Sequence, residues 1–280
     1  MFLLNKIIIF LVAFYSILFP AESLANGSTR ESNKRIISLN SLSADIVSKL
    51  DIDSLVGIPG SSLLKKDDRF FGKEVVSQGR MPPSLEKIIK LSPSLVIGSE
   101  GFHDKILDKL SELDIKTLRT NTKSIKQLEI LISDLSNYLK KDSSKLNLNI
   151  KSCYPNKSES KGSAVILAST KPLLSPNSNS WAGKLLDRFN FENISKNLES
   201  KTEFRGYVNL SPEIILKTKP SKVIIISYPG MNQSTLLSDP ILSKVISTVK
   251  SEITTFNYYG LINPGSLKTI NDACEKLSKI

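Results

Sequence analysis

Histidine, cysteine and tryptophan are scarce in this 280-residue chain, which contains one, two and one of them. Zinc is held by several histidine, cysteine or carboxylate side chains, so this composition argues against a zinc centre. His103 is the only residue that could serve a Ser-His-Asp or Cys-His catalytic site, and no nucleophile motif lies near it. Gly98, Gly101 and Gly183 lack the spacing of a phosphate-binding loop. The sequence therefore predicts a protein that is not an enzyme and uses no cofactor.

Long apolar runs are also missing, except near the start of the chain. Lys6 precedes the apolar segment 7–19, and Ser23-Leu24-Ala25 follows it. A short charged start, an apolar core and a small-x-small exit are typical of a secretory signal peptide. A membrane anchor is the alternative, but a transmembrane helix needs about 20 residues. We predict cleavage after Ala25 and, because no cysteine stands there to carry a lipid, a protein that is free in the periplasm.

The chain has a formal net charge of +11. Its lysines are scattered along the sequence, and aromatic residues are not interleaved with them as in many nucleic-acid-binding proteins. We therefore predict no nucleic-acid partner. The excess of positive charge is interpreted either as a solvated basic surface or as a positive cleft for an anionic ligand.

Strand and helix patterns alternate along the rest of the chain. Buried strands are predicted at 35–39, 55–58, 95–97, 116–118, 164–167, 223–226 and 253–256, and helices at 41–50, 84–90, 104–113, 181–189, 211–218, 242–249 and 266–278. This alternation predicts an α/β fold with parallel central sheets covered by helices. One long helical pattern from Ser124 to about Leu146 separates two such series.

We therefore divide the chain into five segments. They are a signal peptide at 1–25, a disordered segment at 26–34, an N-terminal lobe at 35–123, an interdomain helix and linker at 124–161, and a C-terminal lobe at 162–280.

A short internal duplication is the most informative signal. Segments 84–97 and 211–224 both run from a serine through a glutamate and a short apolar helix to a proline and a buried strand. In each, the proline follows the glutamate by seven residues and the strand valine follows it by ten. The serine can cap the helix, and a carboxylate in the first turn is favoured by the helix dipole. Two equivalent units predict two similar lobes with a ligand cleft between them.

The chain resembles the periplasmic binding proteins of cobalamin and ferric-siderophore ABC importers, most closely the cobalamin-binding type. The resemblance covers nearly all of the mature chain and rests on the order of Arg35-Ile36-Ile37-Ser38-Leu39, Ser84-Leu85-Glu86 with Pro93-Ser94-Leu95-Val96-Ile97, Glu192-Asn193-Ile194 and Ser211-Pro212-Glu213. It implies a rigid monomer of two α/β lobes joined by one long helix. An iron chelate or a corrinoid would bind between the lobes.

The resemblance also implies roles for particular residues. Glu86 and Glu213 would each dock an arginine pocket of the membrane permease, which works with a cytoplasmic ATPase. The alternative is that both are only helix-start carboxylates. Charge pairs of this kind chiefly set register and association rate.

The ligand contacts that the resemblance implies begin with Arg80 and Tyr207. Both positions are tryptophan in the cobalamin-binding type, so this departure leaves room for an anionic iron chelate. Further pocket candidates are Trp181, Arg205, Tyr228 and Tyr259. Aromatic rings offer flat area and arginines offer forked donors, although each aromatic residue could instead pack in the core.

The two cysteines, Cys153 and Cys274, allow two interpretations. An exported protein can hold a disulfide, but two free buried thiols fit the sequence as well. Cys274 matches a family position for a disulfide in the closing helix, so a Cys153–Cys274 bridge is one hypothesis. At the level of function, a receptor for haem or free ferric ion, or a non-transport envelope protein, remain alternatives.

Overall fold

The computed structural model describes residues 34–78, 81–155, 159–199, 205–228 and 232–280. The predicted signal peptide and residues 26–33 of the predicted disordered segment lie outside them. Lys34, which we assigned to that segment, instead contacts Tyr138, with its ammonium group 4.4 Å from the centre of the ring.

A five-stranded parallel sheet forms the N-terminal lobe. Its elements are β1 (Ile36–Ser38), α1 (Ser41–Asp51), β2 (Leu55–Gly60), β3 (Glu74–Gln78), α2 (Leu85–Lys90), β4 (Leu95–Ser99), α3 (Asp104–Glu112) and β5 (Thr117–Thr120). The strand order is β3-β2-β1-β4-β5, so the chain winds outward in both directions from β1 and β4. We predicted no strand at β3, which lies in a charge-rich stretch. In the structure β3 is an edge strand in which only Val76 is buried.

The connection between the lobes is interrupted rather than one continuous helix. Helix α4 (Ile125–Leu139) ends where Lys140 adopts a left-handed conformation with φ of 55°, and a separate helix α5 (Ser144–Leu148) follows. Our prediction of a helix as far as Leu146 was wrong. Asp142 accepts a hydrogen bond from the Ser144 backbone N–H at 2.9 Å, and such local bonds compete with continued helix.

The C-terminal lobe contains a second parallel sheet and a small antiparallel one. Its elements are β6 (Ser163–Leu167), β7 (Ser169–Thr170), β8 (Leu173–Pro176), α6 (Trp181–Arg188), β9 (Glu192–Asn193), β10 (Tyr207–Asn209), α7 (Pro212–Thr218), β11 (Lys222–Ser227), α8 (Gln233–Leu237), α9 (Pro240–Val249), β12 (Glu252–Asn257), α10 (Tyr258–Leu261) and α11 (Leu267–Lys279). The parallel sheet has the order β12-β11-β6-β9, and β10-β8-β7 form the antiparallel sheet. The predicted α/β class with two parallel central sheets is confirmed.

Alternate residues of the strands face two different cores. Ile36 of β1 and Ile224 of β11 belong to one large buried cluster, whereas Ile37 and Ile225 belong to separate outer clusters. Helices α1 and α4 and helices α6 and α11 all contribute to the large cluster, so both lobes share one core. We expect such a continuous core to resist hinge motion between the lobes.

A buried carboxylate adds a polar link between the lobes. Asp45 on α1 is 1% exposed, and its Oδ1 accepts a hydrogen bond from Arg69 Nη2 at 2.7 Å. Its Oδ2 accepts from the backbone N–H of Leu267, the first residue of α11, at 2.8 Å. A carboxylate at a helix N-terminus is favoured by the helix dipole, so one residue joins the two lobes.

The chain also has a covalent link to its closing helix. Cys153, in a 3₁₀ turn after α5, is bonded to Cys274 of α11 across a sequence separation of 121 residues. The alternative of two free thiols therefore does not hold.

Candidate functional site

A cleft of about 1490 Å³ lies at the carboxyl ends of the strands of the N-terminal sheet. Residues that follow β1, β2, β4 and β5 line it, and Tyr258, Tyr259, Asn263 and Pro264 line it from the C-terminal lobe. Ligands of open parallel sheets bind at this edge, next to the point where the strand order reverses. The cleft is therefore the candidate ligand site.

The N-terminal wall of the cleft combines apolar groups with three lysines and two carboxylates, Glu100 and Asp104. Phe102 is 79% exposed and Met81 is 71% exposed, although both side chains are large and apolar. Lys105, Lys109 and Lys123 also line the cleft, and none has a carboxylate within ion-pair distance among the described residues. Exposed apolar surface beside unpaired cations suits a ligand that has both flat apolar parts and negative charge.

His103 lies at this wall as a buried, neutral side chain. It is 6% exposed, and its Nδ1 accepts a hydrogen bond from the Ser99 backbone N–H at 2.9 Å. Burial lowers the pKa of His103, and the nearby charge of Asp104 acts in the opposite direction. The Phe102 ring packs edge-on against the imidazole, with ring centres 4.9 Å apart. The only histidine of the chain thus holds the loop between β4 and α3 in place.

Tyrosines form the C-terminal wall. Ser227 and Asn257 are paired at the ends of β11 and β12, so Tyr228 and Tyr258 leave the sheet side by side, with ring centres 6.0 Å apart. The Tyr259 ring lies 5.4 Å from that of Tyr258.

Tyr207 on β10 does not line the cleft, but it interacts electrostatically with Tyr258. Burial raises the pKa of Tyr207, and the neighbouring Tyr258 adds to the rise. Burial likewise raises the pKa of Tyr258, with smaller contributions from Tyr259 and Tyr228. Four of the seven tyrosines in the sequence therefore lie towards one edge of the lobe, and their hydroxyls can donate or accept hydrogen bonds.

Trp181 is buried in the C-terminal lobe and does not line the cleft. It is 4% exposed, and its indole N–H donates to the Gly260 carbonyl at 2.8 Å. Gly260 has φ of +97°, and a Cβ there would lie 2.0 Å from the Thr269 carbonyl oxygen, so only glycine fits. Trp181 thus fixes the turn that carries Tyr259, whereas we predicted that it contacts the ligand.

The other predicted ligand residues are distributed as follows. Tyr259 lines the cleft, and its hydroxyl is 3.4 Å from Ser62 Oγ of the opposite lobe. Tyr228 is 37% exposed beside Tyr258 but does not line the cleft. Arg205 is exposed and does not line the cleft, and Arg80 lies outside the described residues.

The two predicted docking glutamates occupy equivalent places in the lobes. Glu86 lies in the first turn of α2 and Glu213 in the first turn of α7, and both are exposed. A hydrogen bond from Ser211 lowers the pKa of Glu213. Six residues after each glutamate, Ser92 and Lys219 adopt left-handed conformations with φ of 45° and 46°.

The serines that follow the prolines are also equivalent. Ser94 Oγ donates to the Arg35 carbonyl at 3.2 Å, just before β1, and Ser221 Oγ donates to the Ser163 carbonyl at 2.7 Å, in β6. The strands that follow, β4 and β11, pair with β1 and β6. The duplication seen in the sequence is thus one structural unit used twice.

Several cleft residues escaped the sequence prediction. Tyr258, Phe102 and Lys123 all lie within five residues of the ends of predicted parallel strands. Their position alone could have identified them, because the carboxyl ends of such strands meet at one edge. Among the described residues, no group of three or more histidine, cysteine or acidic side chains could hold a metal ion. In the same part of the chain, no helix has the length and apolar character needed to cross a membrane.

Comparison with known proteins gives one family and several similar folds. The family model "Periplasmic binding protein" matches residues 36–252. No curated protein sequence matches the chain. An ABC transporter substrate-binding protein from Listeria monocytogenes is 19% identical with a TM-score of 0.69, covering 88% of this chain and 97% of that one.

Two proteins of Vibrio cholerae have similar structures. Its periplasmic vitamin B12 binding protein is 20% identical with a TM-score of 0.64, over 88% of this chain and 95% of that one. Its periplasmic heme binding protein is 17% identical with a TM-score of 0.67, over 89% of this chain and 98% of that one. At these identities the likeness shows a shared fold.

Proposed function

Because the chain belongs to the periplasmic binding protein family, we propose that it is the solute-binding component of an ABC importer. It captures a ferric siderophore or a corrinoid in the cleft and delivers it to the permease. The signal peptide at 1–25 directs it to the periplasm, where it acts as a monomer and catalyses no reaction.

The size of the cleft is the observation that supports a bulky ligand. Pockets for drug-sized molecules occupy about 300–1,000 Å³. The cleft here, at about 1490 Å³, is larger than that range. A bare ferric ion would leave most of this volume to water, so a chelate fits the cleft better.

The two walls favour an anionic iron chelate among the bulky candidates. Lys105, Lys109 and Lys123 offer charge-assisted hydrogen bonds to carboxylate or phenolate oxygens. The tyrosines of the opposite wall offer rings and hydroxyl groups. Arg80 and Arg205 remain proposed as further cationic contacts. Haem is the second candidate, because it too is flat and anionic and the fold is shared with a heme binding protein of Vibrio cholerae.

A thermal-shift screen tests this proposal. The exported protein is mixed with ferric catecholate and hydroxamate siderophores, haemin or cyanocobalamin at about 100 times an expected Kd. Binding at that excess stabilises the folded state by about 2.7 kcal/mol, which raises Tm by about 5 °C or more. The iron-free siderophore is the matched control and should give a smaller shift. If none of the four ligand classes raises Tm, the protein is not a receptor of this kind.

Permease docking is proposed for Glu86 and Glu213. Both are exposed on equivalent helices, one in each lobe, and Leu85 next to Glu86 lines the cleft. A permease that engages both carboxylates would therefore cover the mouth of the cleft from which the ligand must leave.

A further inference from the structure

The duplicated unit extends beyond the serine, the glutamate and the proline. Two residues after each glutamate, Ile88 and Ile215 are both fully buried in their lobes. Three residues after each glutamate, Ile89 and Leu216 are large apolar side chains that are 43% and 37% exposed. In one helix turn, each lobe therefore uses one aliphatic residue for its core and presents the next one to solvent.

Each exposed aliphatic residue shares a helix face with its glutamate. Residues three and four apart are neighbours on a helix surface. Glu86, Ile89 and Lys90 thus lie on one face of α2, and Glu213, Leu216 and Lys217 lie on one face of α7. The two lobes present the same combination of a carboxylate, an aliphatic side chain and an ammonium group.

Neither aliphatic residue is needed by the fold. Ile89 and Leu216 are absent from the buried clusters and from the partly buried side chains that pack against them. A single exposed aliphatic side chain needs no explanation, but the same side-chain combination at two equivalent helix positions points to a shared contact.

We propose that Ile89 and Leu216 are the apolar anchors through which the protein docks onto its permease, one beside each docking glutamate. This inference rests on the proposed importer function. Two equivalent surfaces on one chain fit a partner that presents two equivalent pockets, which a permease of two like subunits provides. Each pocket would hold a cationic group for the glutamate and an apolar surface for the neighbouring anchor. The glutamate then sets register while the anchor slows dissociation.

The test measures binding of the ligand-free protein to the permease–ATPase complex reconstituted in lipid nanodiscs. Ile89→Ser and Leu216→Ser should each weaken binding about fivefold, and the double variant about 25-fold if the two sites act independently. Ile130→Ser on α4 is the matched control, because Ile130 is an aliphatic residue that is 50% exposed on another helix. Its binding should equal that of the wild type.

Two further variants separate anchoring from structure. Ile89→Leu with Leu216→Ile exchanges the two anchors, keeps the apolar surface and should retain binding. Glu86→Ala with Glu213→Ala should abolish binding, and in every variant the thermal shift with ligand should remain.

The outcomes separate this inference from the importer function. In one outcome, the wild type binds the permease complex and the glutamate double variant does not. If the serine variants then bind as tightly as the wild type, the anchor role of Ile89 and Leu216 is overturned and the importer function stands. If the wild type does not bind the permease complex at all, the importer function fails, and the anchors fail with it.

Discussion

At the scale of single residues, His103 links cleft geometry to stability. Its neutral Nδ1 accepts the Ser99 N–H, and burial lowers its pKa. Protonation would remove this acceptor and bury a cation. Since the sequence contains no other histidine, His103 should dominate the change in stability between pH 7.5 and 5.5.

We expect the free energy of unfolding to fall as the pH falls through this window. The pKa of His103 is lower in the folded state than in the unfolded chain, so the unfolded chain binds the proton more readily. The loss at pH 5.5 is at most about 1.4 kcal/mol. His103→Asn keeps an acceptor for Ser99 and cannot be protonated, so its stability should stay nearly constant. Urea unfolding of both proteins at pH 7.5, 6.5 and 5.5 checks this. If the free energy of unfolding changes with pH by the same amount in both proteins, the prediction is contradicted.

Residue type alone pointed to one residue that lines the cleft. Tyr207, Tyr228 and Tyr259 were nominated as aromatic residues; of these, Tyr259 lines the cleft, and ligand contact by all three stays a prediction. Trp181 was nominated on the same ground, but its contact is with the Gly260 carbonyl, 79 residues along the chain. Such long-range hydrogen bonds depend on how the lobe closes, which local sequence does not encode.

At the scale of elements, local residue types made the repeated unit predictable. The end of α4 was not predictable, because no local residue type marks it. Ser84 accepts the Lys87 backbone N–H at 3.3 Å, as a capping serine should. The predicted cap by Ser211 was wrong, because its side chain makes no capping hydrogen bond to α7 and is hydrogen-bonded to Glu213 instead. The pattern of α4 has no glycine or proline to mark its end. Lys140 stops it in a left-handed conformation, which non-glycine residues adopt at a cost of about 1–2 kcal/mol.

Lys250 ends α9 in the same way, with φ of 53°. We expect Lys250→Gly to raise the free energy of unfolding by about 0.5–1 kcal/mol, because glycine adopts this conformation without a Cβ clash. Lys244→Gly, in the middle of the same helix, is the matched control and should lower it by about 1 kcal/mol. Urea unfolding measures both. A destabilised Lys250→Gly protein would show that the lysine side chain contributes more than the strain costs.

At the scale of the whole molecule, the two parallel sheets were predictable but their joining was not. Alternation of strands and helices predicted both sheets. The shared core depends on which helix faces meet, and the sequence pattern of α1 or α11 shows only that one face is apolar. The link from Asp45 to the Leu267 N–H spans 222 residues and has no local signal.

Asp45→Ala should destabilise the whole molecule. It removes the hydrogen-bond acceptor of the α11 N-terminus and one carboxylate partner of Arg69, which keeps the more exposed Asp67 and a hydrogen bond to Ser48. We expect a loss of about 2 kcal/mol in the free energy of unfolding, measured with guanidinium chloride. Asp53→Ala, at an exposed aspartate, is the control and should change it by less than about 0.5 kcal/mol. Equal midpoints for the two variants would mean that the buried carboxylate contributes no net stability.

The placement of α11 also bears on when the chain can fold. The apolar face of α11 completes a core that begins with α1, so a nascent chain cannot bury that whole core until α11 has left the ribosome. The export that we propose would therefore act on a chain whose shared core is still incomplete. Under that proposal, the core closes and Cys153 joins Cys274 in an oxidising compartment.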